Sequence, residues 1–126
     1  MRQVHIKRES RILVPYCSGR ACVALVFRAP GSLDEFYVSL SGIEGLVENI
    51  LASTTFHEVR FVLETGPWSH TISESTGLPL LTLGDLPKGL SEPLSSLKIF
   101  AHQAAVRVGE LASQLAGDAS ADPNSD

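Results

Sequence analysis

The sequence predicts an α+β fold. The expected form is a two-layer sandwich: a mainly antiparallel, twisted sheet of about five to seven short strands, one short helix and a long C-terminal helix. Three observations carry that expectation. Between Arg11 and Leu40, apolar stretches are separated by turns too brief to hold a crossover helix, which favours antiparallel neighbours. Ile43, Leu46, Val47, Ile50 and Leu51 recur on one helical face. Leu94, Leu97, Ala101, Ala104, Val108, Leu111 and Leu115 step by three and four without a break, so all seven lie along one helical seam.

Taken in order, Gln3 to Lys7 alternates like a half-buried strand, with Val4 and Ile6 on one side. After a polar turn, Ile12, Leu13 and Val14 form a second strand. Pro15 has no N–H, so it should end that strand or confine it to a sheet edge. Cys17 to Cys22 spans a turn containing Gly19, and Ala21 to Arg28 is the most apolar and hence most central strand. Ala29-Pro30-Gly31-Ser32 is a turn, and Glu35 to Leu40 alternates with Phe36, Val38 and Leu40 expected inward. Ser41 and Glu44 have the spacing of a capping box, which starts a helix over 42–52. His57 to Glu64 reads as a strand with Val59, Phe61 and Leu63 on one face, followed by a turn at Thr65-Gly66-Pro67. Trp68 to Ser73 and Leu78 to Leu83 read as two further short strands.

The long helix is expected from Ser91, as N-cap, to Gly117, as the residue that stops it, with Glu92 and Pro93 in its first turn. Both helices should share one face of the sheet. Residues 1–117 then form a single domain, and 118–126 form an acidic tail without an apolar anchor, expected to be disordered. The long seam requires cover, from the chain's own sheet or from another copy. Ala101, Ala105, Gly109 and Ala112 form a row of small residues that admits a close backbone, while Ile99 and Val106 lie on the opposite side. Self-association is therefore expected through Leu97, Ala101, Ala104, Val108, Leu111 and Leu115, with a dimer as the simplest assembly.

The bulk composition fits a folded domain: 126 residues, 44% hydrophobic and 19% charged. The longest apolar run, Ala21 to Phe27, is too short to cross a bilayer, and the first ten residues carry no hydrophobic targeting segment. A cytoplasmic location is the default. The net charge of −4 conceals a polarity. Residues 1–28 carry six basic side chains against Glu9 alone, a net +5, whereas four basic and 13 acidic residues follow, a net −9.

Candidate chemistry is sparse. Cys17 and Cys22 flank a four-residue loop that a hairpin would bring together, but a cytoplasmic chain keeps such thiols reduced, and two ligands make no zinc ribbon. His57-Glu58 lacks the second histidine of a zinc-protease helix, since Phe61 stands there. His5, His57, His70 and His102 are scattered. Ser69 and His70, as strand neighbours, would point to opposite faces. No catalytic residue, metal site or cofactor is assigned. The one candidate ligand site gathers Arg20, Arg28, Arg60, Trp68 and His70, because guanidinium forks and an indole face suit an anionic metabolite or nucleotide. Sequence-specific nucleic-acid binding is disfavoured by the negative charge and the lack of a basic helix face. The sequence thus points to a non-enzymatic binding protein, an adaptor, regulator or inhibitor of a larger protein, that self-associates through its C-terminal helix. An anionic small-ligand domain is the alternative, and a small enzyme using Cys17 or a histidine the second alternative.

Overall fold

The computed structural model describes residues 10–28, 32–86 and 88–120. The expected strand at 3–7, the turn residues 29–31 and the tail beyond 120 lie outside them. The elements are β1 (Arg11–Ser18), β2 (Ala21–Arg28), β3 (Ser32–Ser39), α1 (Gly42–Ala52), β4 (Val59–Leu63), α2 (Pro67–Thr76), β5 (Leu80–Leu81) and α3 (Lys88–Ser120). Short helical turns at Thr54–Glu58 and Leu83–Asp85 join some of them. The five strands form one sheet in the order β3-β2-β1-β4-β5. The first three pair antiparallel, whereas β1–β4 and β4–β5 are parallel, so the sheet is mixed. The α+β class, the five strands and the long C-terminal helix match the sequence reading.

The layering differs from it. Leu46 and Ile50 of α1 and Ile72 of α2 pack with Leu13, Val26 and Val62 on one face of the sheet. Leu94 and Ala101 of α3 pack with Ile12, Leu25, Phe27, Leu63 and Leu81 on the other. The helices therefore divide between the two faces, giving three layers rather than two. The reason lies in β1 and β2, whose consecutive residues are buried on both sides (Ile12 with Leu13, Leu25 with Val26) and need cover above and below.

Trp68–Ser73, expected as a strand, lies within α2. Gly66 is its N-cap, Pro67 occupies the first turn at no hydrogen-bonding cost, and Gly77 closes it at φ 78° with its N–H on the Ser73 carbonyl. The spacing of Trp68, His70 and Ile72 imitates a period of two within a helix that buries little besides Ile72 and Ser69. The 57–64 strand is shorter than expected, since a helical turn occupies Thr54–Glu58. Its pairing with β1 slips at Arg60, which sends Val59 to the α1–α2 face and Phe61 and Leu63 to the α3 face. Leu78–Leu83 contracts to the two residues of β5.

Pro15 does not end β1, nor is β1 an edge strand. It is tolerated in the central strand because β4 pairs only with Arg11–Leu13, so beyond that point the β4 side asks for no further N–H. The Pro15 carbonyl instead accepts from the Thr65 hydroxyl and, at 3.2 Å, from Trp68 Nε1. The Ser41–Glu44 capping box does not form. Ser41 stands at the N-cap without a side-chain bond, and its own N–H donates to Ser39 Oγ at 3.0 Å. Neither end of α3 is where the sequence put it. The helix begins at Lys88, which places Pro93 inside it, and it continues through Gly117.

β3 is turned over relative to expectation. Tyr37 and Ser39 face inward, whereas Phe36, Val38 and Leu40 are exposed. Polar anchoring sets the choice: Tyr37 Oη donates to Ser53 Oγ at 2.9 Å, Thr55 Oγ1 donates to Glu35, and Asn49 Nδ2 donates to the Val38 carbonyl at 2.8 Å. These bonds fix α1 and the segment after it over one face of β3. Across the sheet, α3 packs against β1 and β2 and stops short of β3.

Candidate functional site

β1 and β4 run parallel, but their pairing ends at Leu13 while β1 continues past it to Ser18, and the chain leaves the two strands in opposite directions, to β2 and towards β5. Such divergence leaves a crevice in α/β sheets. Here it opens between the β1–β2 hairpin and the first turn of α2. A cleft of about 330 Å³ is lined by Cys17, Gly19, Cys22, Ile43, Pro67, Trp68 and Thr71. Gly19, at φ 61°, makes the tight turn that sets Cys17 directly opposite Cys22. The two are joined in a disulfide with Cα atoms 4.1 Å apart, so they are not the reduced thiols expected from sequence.

The floor of the crevice is a dense hydrogen-bond network. Trp68 Nε1 donates to Thr65 Oγ1 at 2.8 Å, Ser69 Oγ donates to the Leu63 carbonyl at 2.8 Å, and the Thr65 N–H donates to Ser69 Oγ at 3.0 Å. Ser69 is fully buried, with its hydroxyl committed to the turn between β4 and α2. Trp68 also meets Tyr16 at 4.8 Å between ring centroids, and His102 of α3 stacks on Tyr16 at 4.5 Å. Indole, phenol and imidazole therefore make a continuous aromatic path around the end of β1. The His102 contact joins residues 86 positions apart and has no local signal in the sequence.

The five residues proposed from sequence as an anion pocket do not converge. Trp68 lines the cleft, and His70 Nε2 lies 2.8 Å from Glu64 Oε2 beside it. Arg20 is exposed in the hairpin turn. Arg28 sits at the far end of β2, roughly 23 Å from it at 3.3 Å per residue, and binds Asp34 Oδ1 at 2.9 Å. Arg60 is exposed on β4 at the slip in its pairing with β1. Asp34 is the extra residue of a bulge in β3, which aims its carboxylate at both Arg11 Nε, at 2.7 Å, and Arg28. The Arg11 hydrogen bond, supported by Arg28, holds the Asp34 carboxyl below its ordinary 3.8. Among the described residues, no three His, Cys, Asp or Glu side chains gather as metal ligands.

No protein-family model, curated protein or solved structure matches this chain.

A second cleft, of about 660 Å³, lies on the α3 side of the same hairpin. Its walls include Arg20 and Ala21, Leu40 beyond β3, and Val106, Glu110 and Ser113 of α3. The expected self-association residues divide here. Ala101 is fully buried against the chain's own sheet, and Leu97, Ala104 and Val108 are half-buried along it. The small-residue row serves the same contact: Ala105 is fully buried, and a Cβ on Gly109 would stand 3.4 Å from Ala21 Cβ. Only Leu111 and Leu115 leave the sheet, at 42% and 70% exposure. The 33 residues of α3 span roughly 50 Å, against roughly 26 Å for an eight-residue strand, so the helix overhangs the sheet. Among the described residues, no helix is long and apolar enough to cross a membrane.

Proposed function

We propose that this chain is a non-enzymatic interaction protein that pairs with a second copy of itself through the overhanging end of α3. The observation that carries this reading is the exposure of Leu111 and Leu115, which continue the buried seam beyond the sheet and beside the 660 Å³ cleft. Arg20 and Glu110 stand on different walls of that cleft. A two-fold related copy brings a carboxylate to each guanidinium and a guanidinium to each carboxylate, which a self-complementary contact requires. The uncovered row on β3 adds to the same side of the molecule. Leu33, Phe36, Val38 and Leu40, together with Phe100 and Val106 of α3, are large apolar side chains left exposed, as an interaction surface requires.

In this reading the dimer presents the β3 face to a larger protein, as an adaptor, regulator or inhibitor does. A cytoplasmic setting is part of the proposal, and there small thiols would challenge the Cys17–Cys22 bridge. Light scattering on the wild-type chain tests the assembly. A dimer mass is expected, with a folded monomer for Leu111→Glu combined with Leu115→Glu. Unchanged mass in that variant would contradict the proposed surface.

A further inference from the structure

We propose that the Cys17–Cys22 bridge is a thiol-exchange site, attacked at the Cys17 sulfur by a low-molecular-weight thiol of the glutathione class. The two cysteines differ in access. Cys22 is fully buried in the α1–α2 core, whereas Cys17 is half-buried at its margin. Disulfides are opened at the sulfur that an incoming thiolate can reach, and here that sulfur belongs to Cys17. The 330 Å³ cleft is lined by both cysteines and falls within the size range of small-molecule sites, but of the two only Cys17 is partly exposed to solvent. Its walls are apolar at Ile43, Pro67 and Trp68, with Thr71 completing them.

The first turn of α2 contributes Pro67 and Trp68 to this cleft, so the positive end of the helix dipole lies on the Cys17 side. In the forward step the small thiolate forms a bond to Cys17 Sγ as the Cys17–Cys22 bond breaks. The electron pair leaves on Cys22, which takes up a proton in its buried position. The incoming thiol ends as a mixed disulfide with Cys17. A second small thiol attacks that mixed disulfide at its own sulfur, releases the Cys17 thiolate and departs as a symmetric disulfide, so two thiols supply the two electrons. In the reverse direction, the Cys22 thiolate displaces the small thiol from Cys17 and restores the bridge.

Opening the bridge leaves the hairpin held by the full β1–β2 ladder and by the Gly42 N–H on the Arg20 carbonyl at 2.9 Å. The exchange therefore does not require unfolding.

The test uses the full chain and glutathione. Cys22→Ser, reduced and then mixed with oxidised glutathione, is expected to form one adduct at Cys17 by mass spectrometry. Cys17→Ser is expected to react at Cys22 at least tenfold more slowly. Wild-type protein treated with reduced glutathione in native buffer should open its bridge while circular dichroism stays unchanged, with the mixed disulfide mapped to Cys17. Equal rates at the two cysteines, or a wild-type bridge that opens only in denaturant, would overturn the proposal. The wild-type arm decides the matter even if a serine variant fails to fold.

Discussion

Leu25 and Phe36 stand opposite each other across the β2–β3 ladder and point to the same side of the sheet, yet Leu25 is 5% exposed and Phe36 62%. The difference is the reach of α3, which covers β2 and leaves β3 bare. Phe36→Ser should therefore change monomer stability by no more than about 0.5 kcal/mol, as expected for a surface site. Leu25→Ala should cost about 2–5 kcal/mol, because it hollows a packed layer. Urea midpoints of the two variants check the contrast. A Phe36→Ser loss as large as that of Leu25→Ala would show that β3 is covered after all.

The seam between α3 and the sheet relies on thin side chains. Ala105 is fully buried and Gly109 approaches Ala21, so the helix axis runs close to β2. Ala105→Leu should destabilise the fold by about 1–3 kcal/mol through overpacking. The same change at Ala112, nearer the free end of the helix, should cost less. Thermal unfolding of both variants gives the comparison.

Ser69 holds the turn between β4 and α2 by donating to the Leu63 carbonyl and accepting from the Thr65 N–H. Ser69→Ala leaves both partners buried without their bond, at a cost of about 1–3 kcal/mol. Trp68 fluorescence should report the loosened turn, since its indole N–H bonds the same Thr65. An unchanged spectrum and midpoint would count against the network.

Acid should weaken the far end of the sheet first. Asp34 has its carboxyl held below 3.8 by the Arg11 hydrogen bond, with Arg28 assisting. A depressed carboxylate contributes stability that is present above its ordinary pKa and is lost as pH falls through the lower folded value. Wild-type stability should therefore drop below about pH 4, and Asp34→Asn should flatten that part of the acid limb while lowering stability at neutral pH. Urea titrations from neutral pH to about pH 2.5 measure both effects.

Much of the architecture was legible where one physical signal acted alone. The three- and four-residue steps from Leu94 to Leu115 announced α3, and the unbroken apolar run of β2 announced an interior strand, though not its cover on both faces. Local pattern misled where tertiary contacts decided. Phe36 and Val38 look like inward residues until Tyr37 is seen bonded to Ser53 and Thr55. Trp68 to Ser73 alternates like a strand, but Gly66 and Gly77 cap it as a helix with Pro67 in its first turn. The site was less legible because its parts come from distant positions. Trp68 belonged to a cleft, but its neighbours there are Cys17 and Ile43, not Arg28 or Arg60. The half-buried Cys17 and buried Cys22 differ through packing that a two-cysteine spacing does not encode.

The second-copy claim, carried by the exposed Leu111 and Leu115, also implies a reciprocal contact between Arg20 and Glu110. Sedimentation equilibrium of Arg20→Glu, Glu110→Arg and the double exchange tests it most directly. The account predicts a dimer for the wild-type chain, weakened association for each single variant, and recovery of the dimer when both charges are exchanged together. A wild-type chain that stays monomeric at every concentration tested, or a double variant no better than either single one, would contradict it.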